Sequence, residues 1–422
     1  MALLVASTTE NRRFLTPAMP FVNLVVGQVN LGAIPNFLQS FSHELFVDGV
    51  QGKLTASFFD PEYDLIEDLI IQDQRTAFEY GWLGGWTSEK REGVLLTYAP
   101  RFEAEGAYLD VTVTDFALRG MKEVQSEIHQ GKIDEIVTRL LARNNLTPDV
   151  QPTGDEPGEY QQTNITDLRF IDTVLKPLAK GADDSPGWEF RVDGRRAYFG
   201  PPVYQQIKRR FLFARDQMGD VVGFSPAFNG QLILYLGGGS IRVESYDWLA
   251  KQNLTQDVSL DAPPAALPQI APETHDDPPA PGGISRYYSV PFQRLGDVQA
   301  WAASKFAATR RMAWEAVLTT LGDPRIVPGD LLEVFVLKRG ASLSHPQREY
   351  QDVFHYTSGV YRVVRVTHKI QAGSFVSEMN LQSDGARYGV TPNPGVPPEL
   401  ADFDEDDART YLTVDAEAEA GG

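Results

Sequence analysis

The chain has 422 residues, 42% of them hydrophobic and 23% charged, an ordinary globular balance with room for roughly two to four domains. There is no cysteine, which excludes disulfides, thiolate zinc sites and cysteine nucleophiles. The formal charge is −19, and residues 401–422, with eight acids against one arginine, supply only −7 of it, so the acidity is general and repels phosphate backbones.

The opening MALLVASTTENRRFLTP has a five-residue apolar run without a preceding basic region, too short for the core of a signal peptide. No span approaches the length of a transmembrane helix. Residues 21–118 read as β: VNLVVGQVNLG, HELFVDG, GKLTASFF, GVLLTYAP and AYLDVTVTDF are short, rich in β-branched and aromatic residues, and separated by turn residues. In the last of these, Leu109, Val111 and Val113 oppose Asp110, Thr112 and Thr114, which predicts one buried and one polar face.

The period then changes. Ile133, Ile136, Val137, Leu140 and Leu141 make one apolar stripe on a predicted helix. A second helix is predicted from Thr166 or Asp167, with Leu168, Ile171, Leu175 and Leu178 on one side and a kink or end near Pro177. GWEFRVDGRRAYFGPP reads as a hairpin turning at Asp193-Gly194. Residues 119–202 thus form an α+β insert.

Residues 203–260 return to strands, and Gly237-Gly238-Gly239 reads as a turn, since no Lys-Ser or Lys-Thr follows it. Residues 261–283 hold seven prolines and read as an extended connector or surface loop. In the second β domain, 284–385, a helix with Val298, Trp301, Ala302, Lys305 and Phe306 along one side precedes AWEAVLTTLG, with Trp314, Ala316, Leu318 and Thr320 on one face, then a Pro-Gly turn and LLEVFVLK. The domain closes on the hairpin GVYRVVRVTHKIQAGSFVSEMNLQS, whose second strand alternates cleanly through Phe375, Ser377, Met379 and Leu381. Its first strand carries Val360, Arg362, Val364, Val366, His368 and Ile370 on one face and Tyr361, Val363, Arg365, Thr367 and Lys369 on the other, so both faces mix apolar and charged groups. The acidic tail, 386–422, has no periodicity and reads as disordered or ordered by a partner.

Chemistry-bearing motifs are scarce. The six histidines, at 43, 129, 275, 345, 355 and 368, share no metal-ligand spacing, and His368 reads as a structural, hydrogen-bonded histidine. GFSPA at 223–227 fails the GxSxG pattern. Tyr80, Trp82 and Trp86 in EYGWLGGW read as a sugar-stacking platform or, with more weight, as a plug for a barrel end.

The order of segments resembles the hub proteins of bacteriophage tails, related to late control protein D and to the hub part of the type VI secretion spike protein. The likeness rests on FEYGWLGGWTSEKREGVLLTYAPRFEAEGAYLDVTVTDFAL, on DEIVTRLLARNNL with LRFIDTVLKPLAKG and GWEFRVDGRRAYFGPP, on TTLGDPRIVPGDLLEVFV, and on GVYRVVRVTHKI. The resemblance implies a mainly β fold with an α+β insert and two tube-type β-barrel domains per chain, at 1–118 and 284–385, forming a homotrimeric ring. It implies no enzymatic activity and no cofactor or metal. The implied partners are a tail tube or distal tail protein, a central spike or fibre protein, and further a tape measure protein and baseplate wedge. DNA would pass through without specific binding, in a virion tail assembled in the host cytoplasm. The resemblance shows no spike β-helix, lysozyme-like or peptidase domain, so wall lysis is expected of another chain. Arg362, Arg365, His368 and Lys369 are the candidates for subunit or lumen contact, because a ring-lining strand packs on its own barrel with one face and meets neighbours or the lumen with the other. Two readings stay open beside it: a carbohydrate-binding or carbohydrate-active β protein using Trp82 and Trp86, and a hub that is also a wall hydrolase.

Overall fold

The structure, a computed structural model, describes residues 19–31, 38–47, 52–60, 75–104, 106–115, 123–181, 187–202, 207–213, 220–228, 240–247, 250–259, 286–290, 292, 294–310, 314–338, 354–355 and 357–383. The start of the chain, the turn at 237–239, the proline-rich segment and the acidic tail lie outside the described residues. The strands are β1 Pro20–Val26, β2 Val29–Asn30, β3 Leu38–Phe46, β4 Lys53–Asp60, β5 Arg75–Trp82, β6 Arg91–Glu103, β7 Gly106–Asp115, β8 Val124–Gly131, β9 Thr147–Val150, β10 Gly158–Thr166, β11 Glu189–Asp193, β12 Arg196–Gly200, β13 Ile207–Phe213, β14 Val221–Phe228, β15 Ser240–Asp247, β16 Gln252–Ser259, β17 Arg286–Ser289, β18 Trp314–Leu321, β19 Leu331–Val336, β20 Gly359–Gln371 and β21 Ser374–Ser383. The helices are α1, Ile133–Arg143; α2, which runs through Asp167–Phe170, a π-helical turn Ile171–Leu175 and Lys176–Leu178; and α3, Leu295–Arg310.

A single 13-stranded curled sheet dominates, and it contains the same strand arrangement twice. One half runs β1-β5-β6-β7-β4-β3 and the other β13-β19-β20-β21-β18-β14. Numbered by position in the chain, the strands of both halves read 1-4-5-6-3-2. The registers agree as well. β20 and β21 begin at 359 and 374 where β6 and β7 begin at 91 and 106, a constant offset of 268 residues. Both hairpins break register at the same rung, between Leu95 and Thr97 and between Val363 and Arg365. The edge strands do likewise, between Leu38 and Ser40 in β3 and between Val221 and Gly223 in β14. One departure is the first strand, since β1 is antiparallel to β5 while β13 is parallel to β19.

Each half has its own core. Val22, Leu24, Phe41, Phe58, Tyr80 and Leu109 are among those filling the first, and Phe211, Trp314, Leu318, Val334, Val363 and Met379 among those filling the second. No strand pairing among the described residues closes either half into a complete barrel. The insert packs α1, α2 and the sheet β11-β12-β9 around a third core, in which all five predicted α1 positions and Leu168, Ile171, Leu175 and Leu178 are buried. Thr166 caps α2 by accepting from Arg169 N. The chain continues helically past Pro177 to Leu178, preceded by the wide π turn; widening relieves the clash of the ring with the carbonyl four residues back. β15, β16 and β17 form a separate small sheet on which α3 packs through Val298, Ala302 and Phe306, while the Lys305 amine lies over the Tyr288 ring.

β20 explains its own mixed sequence. A bulge at Val364 changes the phase of the alternation, so Tyr361 and Val363 face the second core, and beyond it Val366, His368 and Ile370 turn inward. The two uniform faces expected from strict period two are therefore exchanged partway along the strand, because a bulge inserts one residue against the pleat.

Candidate assembly surface

The two halves meet along one seam. β20 pairs with β19 up to Arg362, and past its bulge it pairs with β3, from Arg365↔Phe46 to Gln371↔Ser40. β21 follows it on the other side throughout. One strand thus belongs to both halves, and Ile370, in the second half's hairpin, is buried in the first half's core.

Beneath the seam lies a cluster of rings. Tyr80 sits between His43 and His368, with ring centroids 5.5 and 5.4 Å away, and Phe375 and Trp82 extend the stack. Burial holds the Tyr80 phenol protonated, and its hydroxyl shares a hydrogen bond of 2.9 Å with His43 Nδ1. His368 Nε2 donates to the Ile326 carbonyl at 3.2 Å and Nδ1 accepts from Ser377 Oγ at 2.8 Å, while Ser377 Oγ accepts from Asp323 N at 3.0 Å. The loop after β18 is thereby fastened to the hairpin. Asp323 binds Arg209 and Arg325, and Arg209 also binds Asp220. The Arg325 guanidinium lies 3.5 Å over the Trp86 ring.

Burial pushes both seam histidines down, His43 well below the ordinary value, with repulsion from Arg91 and His368 adding to it, and His368 to about 4. A histidine whose folded pKa lies below its unfolded value of about 6.5 stabilises the fold above that value, and this contribution is lost as pH falls toward the folded pKa. Urea unfolding is expected to show a loss of roughly 3 kcal/mol from His368 alone between pH 7 and 4. The variant His368→Gln should flatten that slope; an unchanged slope would assign the acid loss to other groups.

The four sequence candidates divide. Arg362 is buried and paired with buried Glu189 of the insert, and His368 is wholly buried in the seam. Arg365 and Lys369, 43% and 48% exposed, point away from the cores and pair with Glu44 and Glu378. Arg101, at the place of Lys369 in the repeat, pairs with Glu103 and Asp110. This polar face presents its cations already matched by acids. The insert is tied to the sheet by Arg91 with Asp193, Arg195 with Glu92 and Arg191 donating to the Pro328 carbonyl at 3.1 Å. Sequence reading missed Glu189 and Asp323, whose partners lie 173 and 114 residues away.

Ser225 of GFSPA lies within the extended strand β14 rather than on a strand-to-helix turn. Trp82 packs on Phe375 and donates to the Gly322 carbonyl at 2.7 Å, so both indoles are engaged within the chain. Among the described residues no group of histidine, aspartate and glutamate side chains could hold a metal ion, and no helix is long and apolar enough to cross a membrane.

No protein-family model matches the sequence, and no curated protein matches it. The fold, however, is that of solved bacteriophage tail proteins. A tail protein of Neisseria meningitidis MC58 matches with a TM-score of 0.61 at 10% identity, over 87% of this chain and 98% of that one. The 43 kDa tail protein of prophage MuSo2 from Shewanella oneidensis matches with 0.60 at 9% identity, over 87% and 100%. A chain of the Francisella PdpA-VgrG complex matches with 0.50 at 8% identity, over 91% of this chain and 55% of that one.

Proposed function

We propose that this chain, which carries the fold of phage tail proteins, is a structural, non-enzymatic tail hub. Three copies close into a ring of six similar modules, two per chain, which adapts a six-fold tail tube to a three-fold spike or fibre and forms part of the channel for DNA. The observation that carries this reading is the doubled 1-4-5-6-3-2 strand order with coincident bulges, since a chain that contains one module twice can present six nearly equivalent units from three copies. Arg365 and Lys369 then belong to the lumen or to a subunit contact. Acid partners on that face and the general negative charge keep a passing phosphate backbone from being held. A tail tube or distal tail protein on one side and a spike or fibre on the other are the partners this role requires, with tape measure protein and baseplate wedge nearby.

Native mass measurement is expected to give three times the 46.8 kDa chain, about 140 kDa, and electron microscopy a torus with an open centre. A chain that stays monomeric at high concentration and within virions would overturn the proposal.

A further inference from the structure

Resting on the ring reading, the repeat predicts which edges join one chain to the next. Inside the chain, the distal half of β20 pairs with β3. The strand equivalent to β20 is β6, which among the described residues pairs with β5 from Phe78↔Arg91 to Arg75↔Val94. Past its own bulge, β6 continues to Glu103 along β7, and among the described residues no strand takes the place of β5 there. The strand equivalent to β3 is β14, which pairs with β18 and, among the described residues, with no second strand. Among the described residues the first half thus presents the seam's donor strand without its acceptor, and the second half presents the acceptor without its donor.

Side chains repeat the asymmetry. Ile370 is 3% exposed and faces Phe41, 2% exposed, in the seam. Their equivalents by register are Phe102, 64% exposed, and Phe224, which is only partly buried against the second core. The geometry points to a contact in which Thr97–Glu103 of one copy lies antiparallel on β14 of the next, Phe102 facing Phe224 and Arg101 facing Ser225, as Ile370 faces Phe41 and Lys369 faces Ser42 within the chain. The contact is head-to-tail, because each module offers a different edge at each end, and such contacts close into a ring when the rotation permits.

One rung differs. Pro100 falls opposite Pro226, where His368 faces His43 in the seam. Val47 N donates to the Val364 carbonyl, which makes His368↔His43 a hydrogen-bonded rung by alternation; its proline counterpart has no amide donor. Rungs on either side, Phe102↔Phe224 and Tyr98↔Phe228, carry the interchain ladder. The same prolines discourage stray strands from adding to either edge.

The absence of cysteine makes cross-linking a clean test on the full chain. Arg101 and Ser225 would form a non-hydrogen-bonded pair with Cα atoms about 4.5 Å apart, within reach of a disulfide. On oxidation, the double variant Arg101→Cys, Ser225→Cys should give a non-reducing ladder that stops at three chains, while Arg101→Cys, Ala227→Cys, two residues out of register, should give little. Lys369→Cys, Ser42→Cys is the control and should close within one chain. Phe102→Asp should raise the concentration at which the trimer dissociates by about 100-fold or more, with the monomer's circular dichroism unchanged. No interchain cross-link in a chain of trimer mass overturns this pairing and leaves the ring standing. A strictly monomeric chain overturns both, and a ladder running past three keeps the pairing but ends the trimer.

Discussion

Replacing Glu189 with glutamine is expected to lower the unfolding free energy by about 3–5 kcal/mol. Glu189 on β11 and Arg362 on β20 are both nearly excluded from solvent and paired with each other. Guanidinium cannot discharge by losing its proton, so removing the carboxylate's charge leaves a buried cation without its counter-ion. The other ties between insert and sheet do not replace it. Asp193, Arg195 and Glu92 are 42–55% exposed at their ion pairs, and such pairs contribute about 0–1 kcal/mol. If the pair acts chiefly by mutual compensation, the double variant Glu189→Leu, Arg362→Met should unfold within about 1 kcal/mol of the parent, because burying two well-packed apolar groups avoids desolvating two charges. Urea unfolding of both single variants and the double variant checks this. A Glu189→Gln loss under about 1 kcal/mol would mean that the charge reaches water or another acid.

Local periodicity carried much of this fold. The α1 stripe and the alternation of β21 through Phe375, Ser377, Met379 and Leu381 are buried where the sequence places them, because each depends only on the helix or strand repeat. β20 was misleading for a physical reason: one bulged residue reverses the phase, and nothing in VYRVVRV marks where it sits. The two similar modules were implied by the order of segments, but their residue-by-residue match was not legible, since aligned positions share a side of the sheet rather than a residue type. Leu95 corresponds to Val363, but Pro100 corresponds to His368 and Leu109 to Ser377. Pairs such as Glu189 with Arg362 depend on closure over long loops, and no local pattern encodes them.

Gly322→Ala is expected to destabilise the protein by about 3 kcal/mol, and the loss should shrink when Phe375 is trimmed to alanine in the same chain. A Cβ at 322 would lie 2.2–2.4 Å from three carbons of the Phe375 ring. Gly322 is not among the residues with positive φ, so the barrier is steric and does not arise from backbone preference. Neither side can yield easily. Gly322 N donates to the Phe375 carbonyl at 2.9 Å, Trp82 Nε1 donates to the Gly322 carbonyl at 2.7 Å, and the next amide is held by Ser377. The ring in turn is packed among Tyr80, Trp82 and His368. Relief must come through a shift of the hairpin that also carries Ile370 into the first core, so a methyl group added in the second half should weaken the joint between the halves. A cycle of unfolding free energies for Gly322→Ala, Phe375→Ala and their combination decides the matter. Strong coupling places the obstruction at the ring, whereas additive losses would mean that the loop moves aside and that the seam is less rigid than its hydrogen bonds imply.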